Sequence, residues 1–158
     1  MTDQHSRVNW SQKVESIRFE TRAFIRGDYC SSTSKNVFHT ENPATCAELA
    51  VFPDCDTDAI DRAVASARNA FCQWRHLAPD RRKSLLFTIA NQIEAEKETL
   101  ALLDSLEMGM PISMALEQVD GAVGFLRYNA ELVDKVFGDV VPADPATTLA
   151  ISQREPRG

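Results

Sequence analysis

No window of this chain approaches the roughly 20 apolar residues that a membrane-spanning helix needs. The polar opening from Met1 to Asn9 also lacks the apolar run of a secretory leader. The four cysteines, Cys30, Cys46, Cys55 and Cys72, form no CxxC pair and keep no metal-ligand spacing with His5, His39 or His76. This pattern argues against the common zinc motifs and a disulfide framework. It predicts free thiols and a cytoplasmic protein. An excess of positive charge is missing too. With a net charge of -6 at pH 7, neither nucleic acid nor an anionic membrane surface is expected as a partner. The one basic cluster, Arg81-Arg82-Lys83, follows Asp80 at the start of a helical segment. It reads as a solvated helix face, with a phosphate-binding patch as the other reading. There is no internal repeat, no low-complexity tract and no complete catalytic constellation.

What is present is ordinary globular composition. Of the 158 residues, 44% are hydrophobic and 25% charged, which argues against disorder and allows one domain with a core. Trp10, Val14, Ile17 and Phe19 among charges suggest a short helical arm over residues 8–20. Arg22 to Arg26 reads as a strand meeting the turn Gly27-Asp28, with Tyr29 and Cys30 leaving as a second strand. Asn36 to Thr40 is again extended. Asn42-Pro43 forces a turn, because the residue before proline is excluded from the helical region. Leu49-Ala50-Val51-Phe52 follows as an apolar strand. The first third is therefore small antiparallel β structure.

The period then changes. Asp56 is an N-cap candidate, and Asp58 places negative charge at the positive end of the helix dipole. Ile60, Val64, Ala67, Phe71 and Trp74 form one helix face. A second helix starts at Pro79 with the stripe Leu85, Leu86, Ile89 and Ile93. The polar stretch Glu94 to Glu98 predicts a bend before Leu100, Leu103 and Leu106. Gly109 ends that helix, and Pro111 opens the next. Its stripe runs through Ile112, Ala115, Leu116, Val119, Ala122, Val123, Leu126, Ala130, Val133 and Phe137, and the pattern predicts helix to Gly138. Each large side chain buried there contributes about 1.5–3 kcal/mol, so other structure must cover the stripe. Gly121 and Gly124 inside it each cost up to about 1 kcal/mol relative to alanine. Close helix packing is one reason to keep them, and an open ligand channel is the other. The alternating segment Leu149 to Arg154 is a final strand needing a partner, and nothing after it can supply one. The chain thus reads as the truncated opening of a larger enzyme.

The order of these pieces resembles the opening of the NAD(P)-dependent aldehyde dehydrogenases. The resemblance rests on Phe24-Ile25-Arg26-Gly27-Asp28-Tyr29, Asn42-Pro43-Ala44-Thr45, Ala63 to Trp74, Leu106-Glu107-Met108-Gly109-Met110-Pro111, Leu126-Arg127-Tyr128 and Arg154-Glu155-Pro156. It covers residues 20–158. Leu103 to Gly109 and Asp134-Lys135-Val136-Phe137-Gly138 look most like the γ-glutamyl-γ-aminobutyraldehyde dehydrogenases and related amino-aldehyde enzymes. The resemblance implies an α/β fold in three regions. Residues 1–20 would be an N-terminal arm, 21–141 the first part of a Rossmann-like cofactor domain, and 142–158 the start of an oligomerisation β-hairpin.

The implied reaction is oxidation of an aldehyde to a carboxylate with NAD or NADP. In the family a cysteine thiolate attacks, hydride passes to nicotinamide, a glutamate-activated water releases the acid, and an asparagine holds the oxyanion. None of the four cysteines matches the nucleophile, and the six glycines contain no GxGxxG phosphate loop. No catalytic residue is therefore assigned. Gly121 matches a position at the mouth of the family's substrate channel. Glu107 matches an acidic position where some members bind a cation, with a capping or solvated carboxylate as the other reading. Met110, where the family usually has lysine, and Arg157, where it has an apolar residue, depart from the pattern. A rival from another class is a non-catalytic assembly partner that joins a full-length paralogue, or another copy, through residues 147–157.

Overall fold

The computed structural model describes residues 8–32 and 34–157, so His5 and most of the polar opening lie outside the described residues. Helix α1 (Trp10–Ser16) starts where the Asn9 side chain accepts from the Gln12 amide. Strands β1 (Ala23–Ile25) and β2 (Asp28–Cys30) form a hairpin pairing Ile25 with Asp28. Its two-residue turn, Arg26-Gly27, has φ of 60° and 89°, as tight hairpins require. Strands β3 (Val37–Glu41) and β4 (Glu48–Pro53) form a second hairpin with an irregularity between Thr40 and Glu41. Asn42 closes its loop, its side chain accepting from Ala44 N at 2.9 Å.

The helical half follows the punctuation in the sequence. Asp56 caps α2 (Thr57–Trp74) by accepting from the Ala59 amide at 2.9 Å. Pro79 is the first residue of α3 (Pro79–Ala95). Glu96, with non-helical φ and ψ, separates α3 from α4 (Lys97–Met108), which is the expected bend. Gly109 takes the left-handed conformation at φ 69° to cap α4, and α5 (Ile112–Leu132) follows Pro111.

Helices α3, α4 and α5 enclose the centre of packing. Ala101, Ala115 and Val119 are buried there, with Ile93, Leu100, Ile112 and Leu116 packed around them. The core is thin. Among the described residues nothing larger than Leu102 is buried, and most fully enclosed positions are alanines. Polar ties hold the three helices in register. Lys97 bonds Asp120 at 2.6 Å and Lys83 bonds Glu131 at 2.7 Å. The Arg127 guanidinium spans Glu94 and Asn91.

Three expectations need correction. Helix α5 stops at Leu132, six residues short of Gly138, and Phe137 is exposed. The chain turns there because residues 139–141 are needed as strand β5 (Asp139–Val141), which pairs with β6 (Ala150–Ser152). The partner of the final strand thus comes from upstream. Finally, the α2 stripe is not buried: Ile60 is 55% and Val64 43% exposed. The α2 residues buried most deeply lie on another flank, led by Ala59.

Candidate functional site

Gly121 lies in the middle of α5, on the side away from the buried Ala115, Val119 and Val123. Met114, Phe125 and Tyr128 share that side by helical spacing, and all three are exposed, Phe125 by 70%. A β-carbon added at Gly121 or at Gly124 would meet nothing within 4 Å among the described residues. Close helix packing inside these residues therefore does not explain either glycine. The neighbouring Asp120 is held by Lys97 at the start of α4, which fixes the rotation of this face.

Glu107 sits at the other end of α4, in its last turn, exposed and with no side-chain hydrogen bond among the described residues. A helix end leaves carbonyl oxygens without an intrahelical partner and carries the negative end of the dipole; here the Gly109 amide takes the Ser105 carbonyl. This environment suits a hard cation with one carboxylate and several carbonyl or water oxygens. Among the described residues, no group of three or more His, Cys, Asp or Glu side chains could hold a metal. Because α4 runs antiparallel to α5, Glu107 lies near the start of α5. Gly121 is about 14 Å further along that axis by helical rise. The two residues belong to separate places.

All four cysteines are free, and Cys30 Sγ lies 3.7 Å from the Asp28 carbonyl oxygen. His39 instead meets Glu48 at 2.6 Å across the β3–β4 hairpin. Nor does a dinucleotide cradle appear among the described residues. The one strand-to-helix connection, from β4 to α2, passes through Asp54, Cys55 and Asp56. It offers two carboxylates where phosphate needs glycine and bare amides. These residues do not fit the pyrophosphate of NAD.

Two surface features were not legible in the sequence. A groove of about 850 Å³ opens between the β1–β2 turn and the polar face of α2, with Arg26, Arg62, Asn69 and Gln73 on its walls. The second is the β5–β6 ribbon. Val140 pairs with Ile151, and the two are 73% and 62% exposed, so one apolar face and the outer edge of β6 are open. Beyond it, Glu155 reaches Arg75 at 3.6 Å and ties the segment to the end of α2. Both features come from non-local pairing, which carries no local signal in the sequence. Among the described residues, no helix is long and apolar enough to cross a membrane.

Residues 29–158 match the profile of the aldehyde dehydrogenase family. The chain is 37% identical over 157 residues to the NADP/NAD-dependent aldehyde dehydrogenase PuuC of Escherichia coli, covering 98% of this chain and 32% of that enzyme. The P. syringae indole-3-acetaldehyde dehydrogenase AldA, solved in complex with NAD+ and IAA, superposes with a TM-score of 0.87 at 37% identity. That match covers 94% of this chain and 30% of the solved one. The γ-glutamyl-γ-aminobutyraldehyde dehydrogenase of Burkholderia cenocepacia gives 0.81 at 35% identity, covering 86% and 28%. The chain therefore spans about a third of the length of the curated relative and of these solved structures.

Proposed function

The chain belongs to the aldehyde dehydrogenase family, and on that premise we propose that it supplies the N-terminal β structure and first helices of an enzyme oxidising an aldehyde to a carboxylate. The observation that carries the proposal is the family match across residues 29–158. The regions would be an arm over 1–20, the opening of the cofactor domain over 21–141, and the start of an oligomerisation hairpin over 142–158. The working place would be the cytoplasm.

The acceptor would be NAD or NADP, as in the PuuC relative. When bound, it supplies hydride acceptance; the residues of this chain offer it no phosphate cradle. They offer instead a positioned helix face. Gly121 leaves open space on α5, which suits a channel mouth admitting a long or polar aldehyde. The substrate would be an amino- or γ-glutamylamino-aldehyde, in line with a solved γ-glutamyl-γ-aminobutyraldehyde dehydrogenase of matching fold. Glu107 would contribute one carboxylate to a structural cation at the end of α4, with carbonyl oxygens completing the shell. No nucleophile is assigned in residues 1–158, so these residues alone should not turn over an aldehyde.

Two measurements test this reading. A chimera in which this chain replaces the matching segment of PuuC should reduce NAD(P) when given an amino-aldehyde. A folded but inactive chimera would overturn the reading. The 158 residues alone should produce no NAD(P)H. Turnover that survives removal of host enzymes and is abolished by Cys72→Ser would overturn that part.

A second reading is favoured by the open edge of β6. The chain would act without catalysis, adding its strand over 147–157 to a full-length aldehyde dehydrogenase subunit. Ile151→Pro removes a backbone donor and fixes φ, so recovery of the full-length subunit with tagged chain should fall. Equal recovery with both versions would end this reading.

A further inference from the structure

Helix α2 presents its two faces the wrong way round for an isolated protein. Arg62, Asn69 and Gln73, on its polar face, line the groove toward the β1–β2 turn. Ile60, Val64, Phe71 and Trp74, spaced by three, four and seven residues, lie on the opposite face. Three of the four are exposed, and Phe71 is only half-buried. The stripe runs the length of an 18-residue helix, about 27 Å at 1.5 Å per residue. A continuous apolar surface of this kind marks an interface.

The superposition on AldA says how much of the fold lies outside these residues. Nearly all of this chain matches a minor part of the solved fold at a TM-score of 0.87, so most of that fold has no counterpart in these residues. The thin alanine core points the same way, because the packing of α3, α4 and α5 does not reach α2. We infer that the Ile60–Val64–Phe71–Trp74 face of α2 is the seat for the remainder of an aldehyde dehydrogenase fold. A separate polypeptide carrying that remainder can therefore complement this chain in trans. The inference rests on family membership and fold, and it is independent of the proposed reaction. Residues 153–157 lie beside Phe71 and Arg75 at the end of α2, so the test uses Ile60 and Val64, further along the helix.

The experiment co-expresses tagged residues 1–158 with untagged PuuC from which the matching segment has been deleted. The expected result is co-purification at one to one, lost on changing Val64 to Lys or Ile60 to Lys. Both positions are already exposed, so these changes should leave the circular dichroism of the isolated chain unaltered. Intact PuuC, whose own segment fills the seat, should be recovered no better with wild-type chain than with Val64→Lys. Recovery of the deleted PuuC that is indifferent to both lysine variants would overturn the inference. So would no recovery of a deleted PuuC that is itself folded, or α2-dependent pairing of this chain with a second copy only. The single-chain chimera with PuuC gives a second readout, needed because the deleted PuuC can fail to fold. There Val64→Lys should lower Tm by at least 5 °C while leaving the Tm of the isolated chain unchanged. An equal shift in the two proteins would overturn the inference.

Discussion

A β-carbon placed on Gly138 would stand 2.1 Å from the carbonyl oxygen of Ser152. The glycine is thus needed for close approach of two backbones where the chain enters β5. This contact also explains why α5 cannot run on to Gly138: the segment is claimed by a strand partner 14 residues downstream.

Gly138→Ala should therefore open the β5–β6 ribbon. Overpacking of this kind costs about 1–3 kcal/mol, and an isolated two-stranded ribbon has little stability to lose. Amide exchange over 139–141 and 150–152 should accelerate while the exchange of α3 to α5 is unchanged. Equal protection in both proteins would contradict the contact.

Gly109 and Gly121 should respond to alanine with opposite signs. Gly109 has a positive φ, and a β-carbon there would lie 3.0 Å from Pro43 Cγ. Gly109→Ala should destabilise by about 1–2 kcal/mol. Gly121 is mid-helix facing open space, so Gly121→Ala should stabilise by up to about 1 kcal/mol. Thermal melts of the isolated chain should move down and up by a few degrees respectively. A fall in Tm for Gly121→Ala would mean that packing holds that glycine.

In the PuuC chimera, a large side chain should reveal what the open space is for. Gly121→Trp should raise KM for a γ-glutamylamino-aldehyde at least tenfold and leave the KM for acetaldehyde within about twofold. Equal effects on both substrates would remove Gly121 from the channel.

Arg127 should act as a clamp whose geometry matters more than its charge. Its fork reaches Glu94 at 2.6 Å and Asn91 at 2.9 Å. The pair is half exposed, so Arg127→Ala should cost only about 1 kcal/mol. Arg127→Lys should lose most of the same amount, because an ammonium cannot span both partners. Chemical denaturation of the three proteins measures this, and a lysine variant as stable as wild type would show that charge alone suffices.

The Glu20 carboxyl should titrate far below its usual range. Hydrogen bonds from the Arg22 side chain and then its backbone hold it at about 2 rather than 4.5. A carboxyl depressed in the folded state stabilises above its ordinary pKa. That contribution fades as pH falls from 4.5 toward 2. Carbon-13 NMR should place the midpoint near the low value, and Arg22→Ala should return it to the ordinary one. An unshifted midpoint in the wild type would break the assignment.

Much of the architecture follows from local chemistry alone. Asp56 caps α2, Pro79 opens α3, the polar stretch around Glu96 breaks α3 from α4, and Gly109 closes α4. Each acts within one helical turn, so the sequence carries the signal in full. The family motifs were legible for a related reason, since they lie in short runs of adjacent residues. Gly121 could be singled out as a glycine within an apolar helical segment. The open space before it could not.

Long-range contacts decided the rest. The stripe through Val133 and Phe137 has helical period, yet the chain leaves the helix at Leu132 because β5 gains a partner in β6. Periodicity cannot report a bond to a segment still to come. The α2 stripe was visible as a stripe, and its spacing says only that something apolar should cover it. That it stands open, with the polar face turned toward the β1–β2 hairpin, was decided by tertiary packing: the small core forms among α3, α4 and α5 and leaves Ile60 and Val64 exposed.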